Sequence, residues 1–170
     1  GYQMLGIVID DSCNAETGEV IPGIGLLPVT TTFTLSKHRT RARGIICSQS
    51  GMWEMLGEKK CAGYEIHMGE ITEGEGQAHA FAKIYNTVDG TEYMDGCVCG
   101  NVAGTYLHGI FDEKEFCDGF INMLGKRCGI ATHGGSDMSF EEYKQREYDK
   151  LADAIRENMD MKYIYEIMGL

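Results

Sequence analysis

Proline is almost absent from this sequence, two in 170 residues against 23 glycines. So little proline builds no stiff spacer, and no internal repeat or low-complexity tract takes that role, so no linker divides the chain. Apolar runs near the roughly 20 residues that span a bilayer are also missing. The first residues lack the basic flank and cleavage site of a secretion signal, and the expected location is cytoplasmic. Positive charge is scarce: 15 Lys and Arg against 26 Asp and Glu give a net charge of -11. Such a surface repels nucleic acid and anionic membranes, which excludes both as general partners. No G-x-x-x-x-G-K-[S/T] phosphate loop occurs, so the chain has no nucleotide site of that kind. Seven cysteines, an odd number without framework spacing, read as mostly reduced and buried thiols rather than a disulfide scaffold.

What is present suits a single folded unit. The hydrophobic fraction of 43% is ordinary for a globular protein, and ten Met residues fit a soft, irregular core. "YQMLGIVIDD" (2–11) reads as a short helix. "GLLPVTTTF" (25–33) and "ARGIICSQ" (42–49) read as strands, with the basic "SKHRTRAR" (36–43) as a loop or strand end between them. "AGYEIHMG" (62–69) reads as a buried strand leaving into a loop. Asp89-Gly90 stands between two strand-like runs, the composition of a hairpin turn. "NVAGTYLHG" (101–109) reads as a last strand.

Helices follow. Asp112 can cap a helix whose Phe116, Phe120, Ile121 and Leu124 share a face, with Gly125 or Gly129 to end it. Ser139 and Glu142 stand in capping-box register before a stripe of Phe140, Tyr143, Leu151, Ile155 and Met159. A final segment covers 160–168. The organisation expected is a sheet-containing core over 1–138 and a helical extension over 139–170. A doubly wound sheet alternates strand and helix from its start, so its early βα units are expected to be missing here.

Of the five histidines, His38, His67, His79, His108 and His133, only His108 has a context that favours catalysis. "GTYLHGIF" sets it at the exit of an apolar run beside a glycine, where backbone and ligand can approach closely and an imidazole can act as base near neutral pH. A reactive thiolate needs a helix start or a cationic pocket, and none of the thiols reads as a convincing nucleophile. Cys97-Val-Cys99 with His108 is a weak zinc pattern, and no metal site is expected. A strand, a tight glycine turn and a helix make a nucleophile elbow, and the opening "GYQMLG" has the composition of its helical side.

Read together, "GYQMLG", "GLLPVTTTF", "GYEIHMG", "GTYLHGIFD" and "YDKLADAIREN" resemble the C-terminal glutamine amidotransferase domain of the cobyric acid synthase family, one of the cobyric/cobyrinic acid group of class I-like amidotransferases. In that family the elbow reads Cys-Gly-Gly-Tyr-Gln-Met-Leu-Gly. The resemblance therefore implies a partial domain that starts just after the nucleophilic Cys, which would lie two residues upstream of Gly1. It implies an α/β fold of the class I amidotransferase kind, a flavodoxin-like open sheet incomplete at the N-terminus with C-terminal helices.

The activity implied is that of an ATP-dependent ligase that amidates corrinoid side-chain carboxylates in cobalamin biosynthesis, with ammonia from glutamine. A Cys-His dyad would hydrolyse glutamine, with His108 as the base. The Glu that the ordinary class I triad carries two residues after its His is replaced by Ile110, which leaves Asp112 as a candidate to orient His108. Gln3 is implied to contact substrate glutamine. Tyr64, Glu65 and His67 are implied to line the same pocket, with Glu65 and His67 pairing to brace the loop as the alternative. Lys37, Arg39, Arg41 and Arg43 meet either a polyanionic corrinoid or solvent. No cofactor is expected in this piece, ATP and Mg2+ belonging to a synthetase domain outside it, and the piece is expected to be inactive alone and to self-associate. Two other readings stay open: an amidotransferase for another acceptor, of the cobyrinate a,c-diamide synthase or cell-wall precursor type, and a non-catalytic binding module.

Overall fold

The first ten residues split between two kinds of structure. A single helical turn, α1 (Tyr2–Leu5), ends at Gly6, and β1 (Val8–Asp10) follows at once. The computed structural model describes residues 1–48, 50–74, 78–132 and 138–170, the side chain of Glu73 excepted, so Gln49 and His133 lie outside the described residues. The helix expected across 2–11 stops early for a steric reason. A Cβ at position 6 would lie 2.6 Å from the Val29 carbonyl oxygen, so only glycine lets the chain turn there. The β-branched Val8 and Ile9 then pair in parallel with the strand that starts at Val29.

That strand, β3 (Val29–Ile46), is one element of 18 residues, not two strands with a basic loop between them. Its edge partners change along its length. Its first part pairs with β1, which in turn pairs with β2 (Val20–Pro22), and its last part pairs with β5 (Ala82–Asn86), followed by β6 (Glu92–Asp95). Along the other edge runs β4 (Lys60–Glu73), antiparallel and longer than the expected 62–69. The basic run is strand because it alternates: Arg39, Arg41 and Arg43 are exposed, while Thr40 and Ala42 are buried. Asp89-Gly90 falls in the β5–β6 turn, with Gly90 at a φ of 79°.

The β3–β4 ladder breaks once. Phe33 pairs with Gly69 and His38 with His67, so residues 34–37 stand opposite Met68 alone. Three extra residues make a wide bulge, crossed by a hydrogen bond from Thr34 Oγ1 to the Met68 carbonyl at 3.1 Å.

A small hairpin, β7 (Cys97–Cys99) and β8 (Val102–Gly104), precedes the segment that carries His108. The strand expected over 101–109 is thus only three residues long. His108 rejoins the sheet through a bridge to Tyr64, by two backbone hydrogen bonds of 2.8 and 3.1 Å. Helix α2 (Lys114–Cys128) is capped at Glu113 rather than Asp112, which lies in a 3-10 turn, and it ends at Gly129. Its inner face is Phe116, Gly119 and Met123 with Phe120 partly covered; Ile121 and Leu124, expected on that face, are exposed. Phe116 packs with Ile46, Leu56 and Ile84 in the main core, and Tyr2, Leu27, Val29 and Cys97 form a second cluster that includes the first helical turn.

By contacts the chain forms two units, Gly1–Gly135 and Ser136–Leu170. The second holds α3 (Phe140–Asn158), with the Ser139–Glu142 capping box in place, and α4 (Met161–Met168), capped by the Asp160 side chain. Its apolar residues Phe140, Tyr143, Leu151, Ile155 and Met159 are exposed. Among the described residues no helix is long and apolar enough to cross a membrane.

Candidate active site

One cavity of about 310 Å³ brings together parts of the chain far apart in sequence. Gly1, Tyr2 and Gln3 come from the opening turn, Glu16 from the loop after β1, Lys37 from the bulge, His67 from β4, and Tyr106 and His108 from the segment after β8. Gln3, His67 and His108, three of the residues singled out from sequence, therefore share one cavity. Tyr64 and Glu65 do not line it. Alternation along β4 turns Tyr64 away from Glu65 and His67, and Glu65 is buried with only 1% of its surface exposed.

Each wall is fixed by packing. Gln3 donates from Nε2 to the Tyr106 hydroxyl at 3.2 Å. The Tyr106 ring stacks on His67 at 3.8 Å and meets Tyr2 edge-on at 5.1 Å. Burial pushes the Tyr106 phenol up, so it stays protonated and can share its hydroxyl with Gln3. The loop that carries Glu16 is wound around one carboxylate. Asp11 accepts the backbone N–H groups of Ala15, Glu16, Thr17 and Gly18 at 2.7 to 2.9 Å. These bonds, that of Gly18 foremost, hold the Asp11 carboxyl well below its ordinary range against the opposing effect of desolvation.

His108 is exposed, and its ring stacks on Tyr64 with centroids 5.1 Å apart and planes 11° from parallel. Among the described residues this ring contact, not a carboxylate, orients the imidazole. Asp112 instead lies by Gly109, its Oδ2 3.4 Å from where a Cβ would stand there, and Ile110 is buried in the core. The backbone bridge requires Gly63 opposite, because a Cβ there would lie 2.0 Å from the His108 carbonyl oxygen. Helix α1 has four residues, so its summed dipole is small.

Behind His67 lies a buried charged group. Glu65 Oε2 accepts from the Tyr93 hydroxyl at 2.7 Å and lies 3.1 Å from His38 Nε2 and 3.8 Å from His67 Nε2. Burial alone would raise the Glu65 carboxyl; the contacts with His67 and Tyr93, together with the nearby His38, outweigh it and bring it below its ordinary value. The expected alternative, Glu65 beside His67, is thus the geometry seen, with His38 as a third member. Burial removes Cys61 as a nucleophile, pushing its thiol up to about 12. Arg39 and Arg41 line a separate groove with Tyr64, while Lys37 lies in the main cavity.

Several of these residues carried no local signal. Glu16 and His38 reach the site only through the wound loop and the bulge. Tyr106 was the legible one, two residues before His108 in an alternating run.

Residues 1–116 match the CobB/CobQ-like glutamine amidotransferase domain. The chain is 40% identical over 178 residues to a cobyric acid synthase of Lachnoclostridium phytofermentans, an alignment covering 99% of this chain and 34% of that protein. It is 42% identical to a cobyric acid synthase of Alkaliphilus metalliredigens, over 99% of this chain and 34% of that protein. A cobyric acid synthase of Clostridium acetobutylicum is 41% identical over the whole of this chain and 32% of its own length. The chain thus spans about a third of the length of the curated relatives it matches. The mixed α/β architecture, with a mostly open sheet and helices, fits a class I amidotransferase-like fold. By that match, which takes in the opening turn, the sheet and His108, this chain belongs to the CobB/CobQ-like glutamine amidotransferase domain family.

Proposed function

We propose that this chain is the glutaminase part of a cobyric acid synthase, which amidates corrinoid side-chain carboxylates with ammonia drawn from glutamine. The observation that carries the reading is the cavity walled by Gly1 to Gln3 on one side and by His108 on the other. In the family's elbow the nucleophilic cysteine stands two residues before the position Gly1 holds, and that spacing supports a sulfur on the helical-turn side of the cavity.

The chemistry is acyl transfer. The thiol passes its proton to His108, and the sulfur adds to the side-chain amide carbon of glutamine. As the C–N bond breaks, the amide nitrogen takes the proton back and leaves as ammonia. Water then adds to the thioester, gives a proton to His108, and releases glutamate and the thiol. Tyr64 holds the imidazole plane by stacking. Glu16 and Lys37 carry opposite charges into the cavity, matching the ammonium and carboxylate of a free amino acid, while Gln3 is fixed by Tyr106.

ATP and Mg2+ belong to the synthetase domain, which activates the corrinoid carboxylate that ammonia attacks. The exposed Arg39 and Arg41 beside Tyr64 are the surface offered to that anionic substrate or that domain. The location is cytoplasmic. The test uses the full-length protein with glutamine, ATP and a corrinoid acid. Glutamate release falls by at least about 10²-fold in His108→Ala, and amide appears on the corrinoid only when ATP is present. Amidation of a cell-wall precursor or of cobyrinate instead would move the chain to another acceptor. Glutamate release undiminished in His108→Ala would overturn the dyad.

A further inference from the structure

Two imidazoles and one carboxylate meet behind the glutamine cavity. His38 and His67 are paired directly across β3 and β4, at the point where the ladder resumes after the bulge. Both direct Nε2 at Glu65 Oε2, and one donor atom from each of the three residues falls within 4.8 Å of the others. Among the described residues this is the one such gathering of histidine, cysteine and carboxylate side chains.

A simple His–Glu ion pair leaves part of this arrangement unexplained. Glu65 is buried, yet its Oε1 makes no hydrogen bond, and neither does the buried His38 Nε2. His67 Nδ1 faces the Gly69 carbonyl at 2.9 Å, so the proton belongs on Nδ1 and the lone pair on Nε2, the orientation found in metal-binding imidazoles. Tyr93 donates to the carboxylate as an outer partner does. The spacing also fits. Two atoms bound about 2.0 Å from one tetrahedral centre lie roughly 3.3 Å apart, between the 3.1 and 3.8 Å observed. A second cavity, lined by His38, Glu65, His67 and Tyr93, gives an ion and one water a way in.

We infer that His38, Glu65 and His67 form a binding site for one divalent cation of the zinc class, with water completing the coordination. The donor set of two imidazoles and one carboxylate selects a borderline ion over magnesium or calcium, which prefer all-oxygen sites. The ion ties the two strands together across the bulge. It thereby fixes His67, which also lines the glutamine cavity.

The experiment titrates the metal-free protein with Zn2+ by equilibrium dialysis and elemental analysis, and with Co2+ by absorption spectroscopy. One equivalent binds, Co2+ shows no thiolate charge-transfer band, and affinity falls more than about tenfold in Tyr93→Phe and further in His38→Ala. His38 is 40% exposed, so His38→Ala leaves the fold intact and stays decisive even if His67→Ala unfolds. Failure to bind either ion overturns the site, as does binding undiminished in His38→Ala. A thiolate band would place the ion on cysteine and overturn it too. None of these measurements reads glutaminase activity, so they stand apart from the functional proposal.

Discussion

Gly63→Ala is a single-methyl test of how the candidate base is held. The new Cβ would lie 2.0 Å from the His108 carbonyl oxygen, 3.1 Å from its carbonyl carbon and 3.1 Å from Leu107 Cγ. Cβ atoms do not approach within 3.0 Å of such a neighbour, so the carbonyl must retreat by about 1 Å. The segment cannot drift away as a whole, because Leu107 and Ile110 on either side of His108 are anchored in the core. The movement falls on the bridge, whose two hydrogen bonds run from Tyr64 N to His108 O at 3.1 Å and from His108 N to Tyr64 O at 2.8 Å. At roughly 0.5–1.5 kcal/mol for each bond, the destabilisation is about 1–3 kcal/mol. A base misplaced by about 1 Å costs a further factor of roughly 10² in turnover. Urea denaturation reads the first effect, faster amide exchange at Tyr64 and His108 locates it, and glutamate release per folded molecule of the full-length protein reads the second. Native exchange rates together with full turnover in Gly63→Ala would refute this account of His108.

Other outcomes follow from the carboxylates and thiols. The Asp11 carboxyl titrates below its ordinary value of about 3.9 in the folded chain. Its contribution to stability is therefore complete above about pH 4 and is lost as pH falls through the folded value. Urea midpoints measured from pH 6 downward should fall less steeply in Asp11→Asn than in wild type; parallel slopes would show that the four N–H bonds are not felt in this way. With its thiol raised to about 12, Cys61 should resist alkylation at pH 8 while exposed Cys13 and Cys128 react first. Peptide mapping after brief labelling checks this, and early modification of Cys61 in folded protein would contradict it.

The elements that sequence reasoning placed well are those whose signal is local. The Ser139–Glu142 capping box, the glycine that ends α2 and the Asp89-Gly90 turn each depend on a few neighbouring residues, and each appears in the structure. Reading failed where a distant partner decides. "IVID" looks helical beside "YQML" until Val29 blocks any side chain at Gly6 and offers a parallel edge to Val8 and Ile9. The basic run 36–43 conceals a period-2 strand, because its inward members, half-buried His38 with buried Thr40 and Ala42, are unlike one another, and three arginines dominate its composition. The covered face of α2 leaves out Ile121 and Leu124 because the 3-10 turn over Gly51–Leu56 and the neighbouring strands, not the helix itself, choose which side is covered.

The sequence by itself determined the family, the Ser139–Glu142 cap and the Asp89-Gly90 turn, since ordered motifs and local caps survive without knowledge of the fold. Only the tertiary structure decided that Tyr64 stacks on His108 while Glu65 turns inward, that Glu16 and Lys37 join Gln3 at one cavity, and that His38 meets Glu65 and His67. The physical reason is register. Alternation along β4 sorts adjacent residues to opposite sides, and the three-residue bulge in β3 sets which of them face each other, a choice made by pairing between strands rather than within either one.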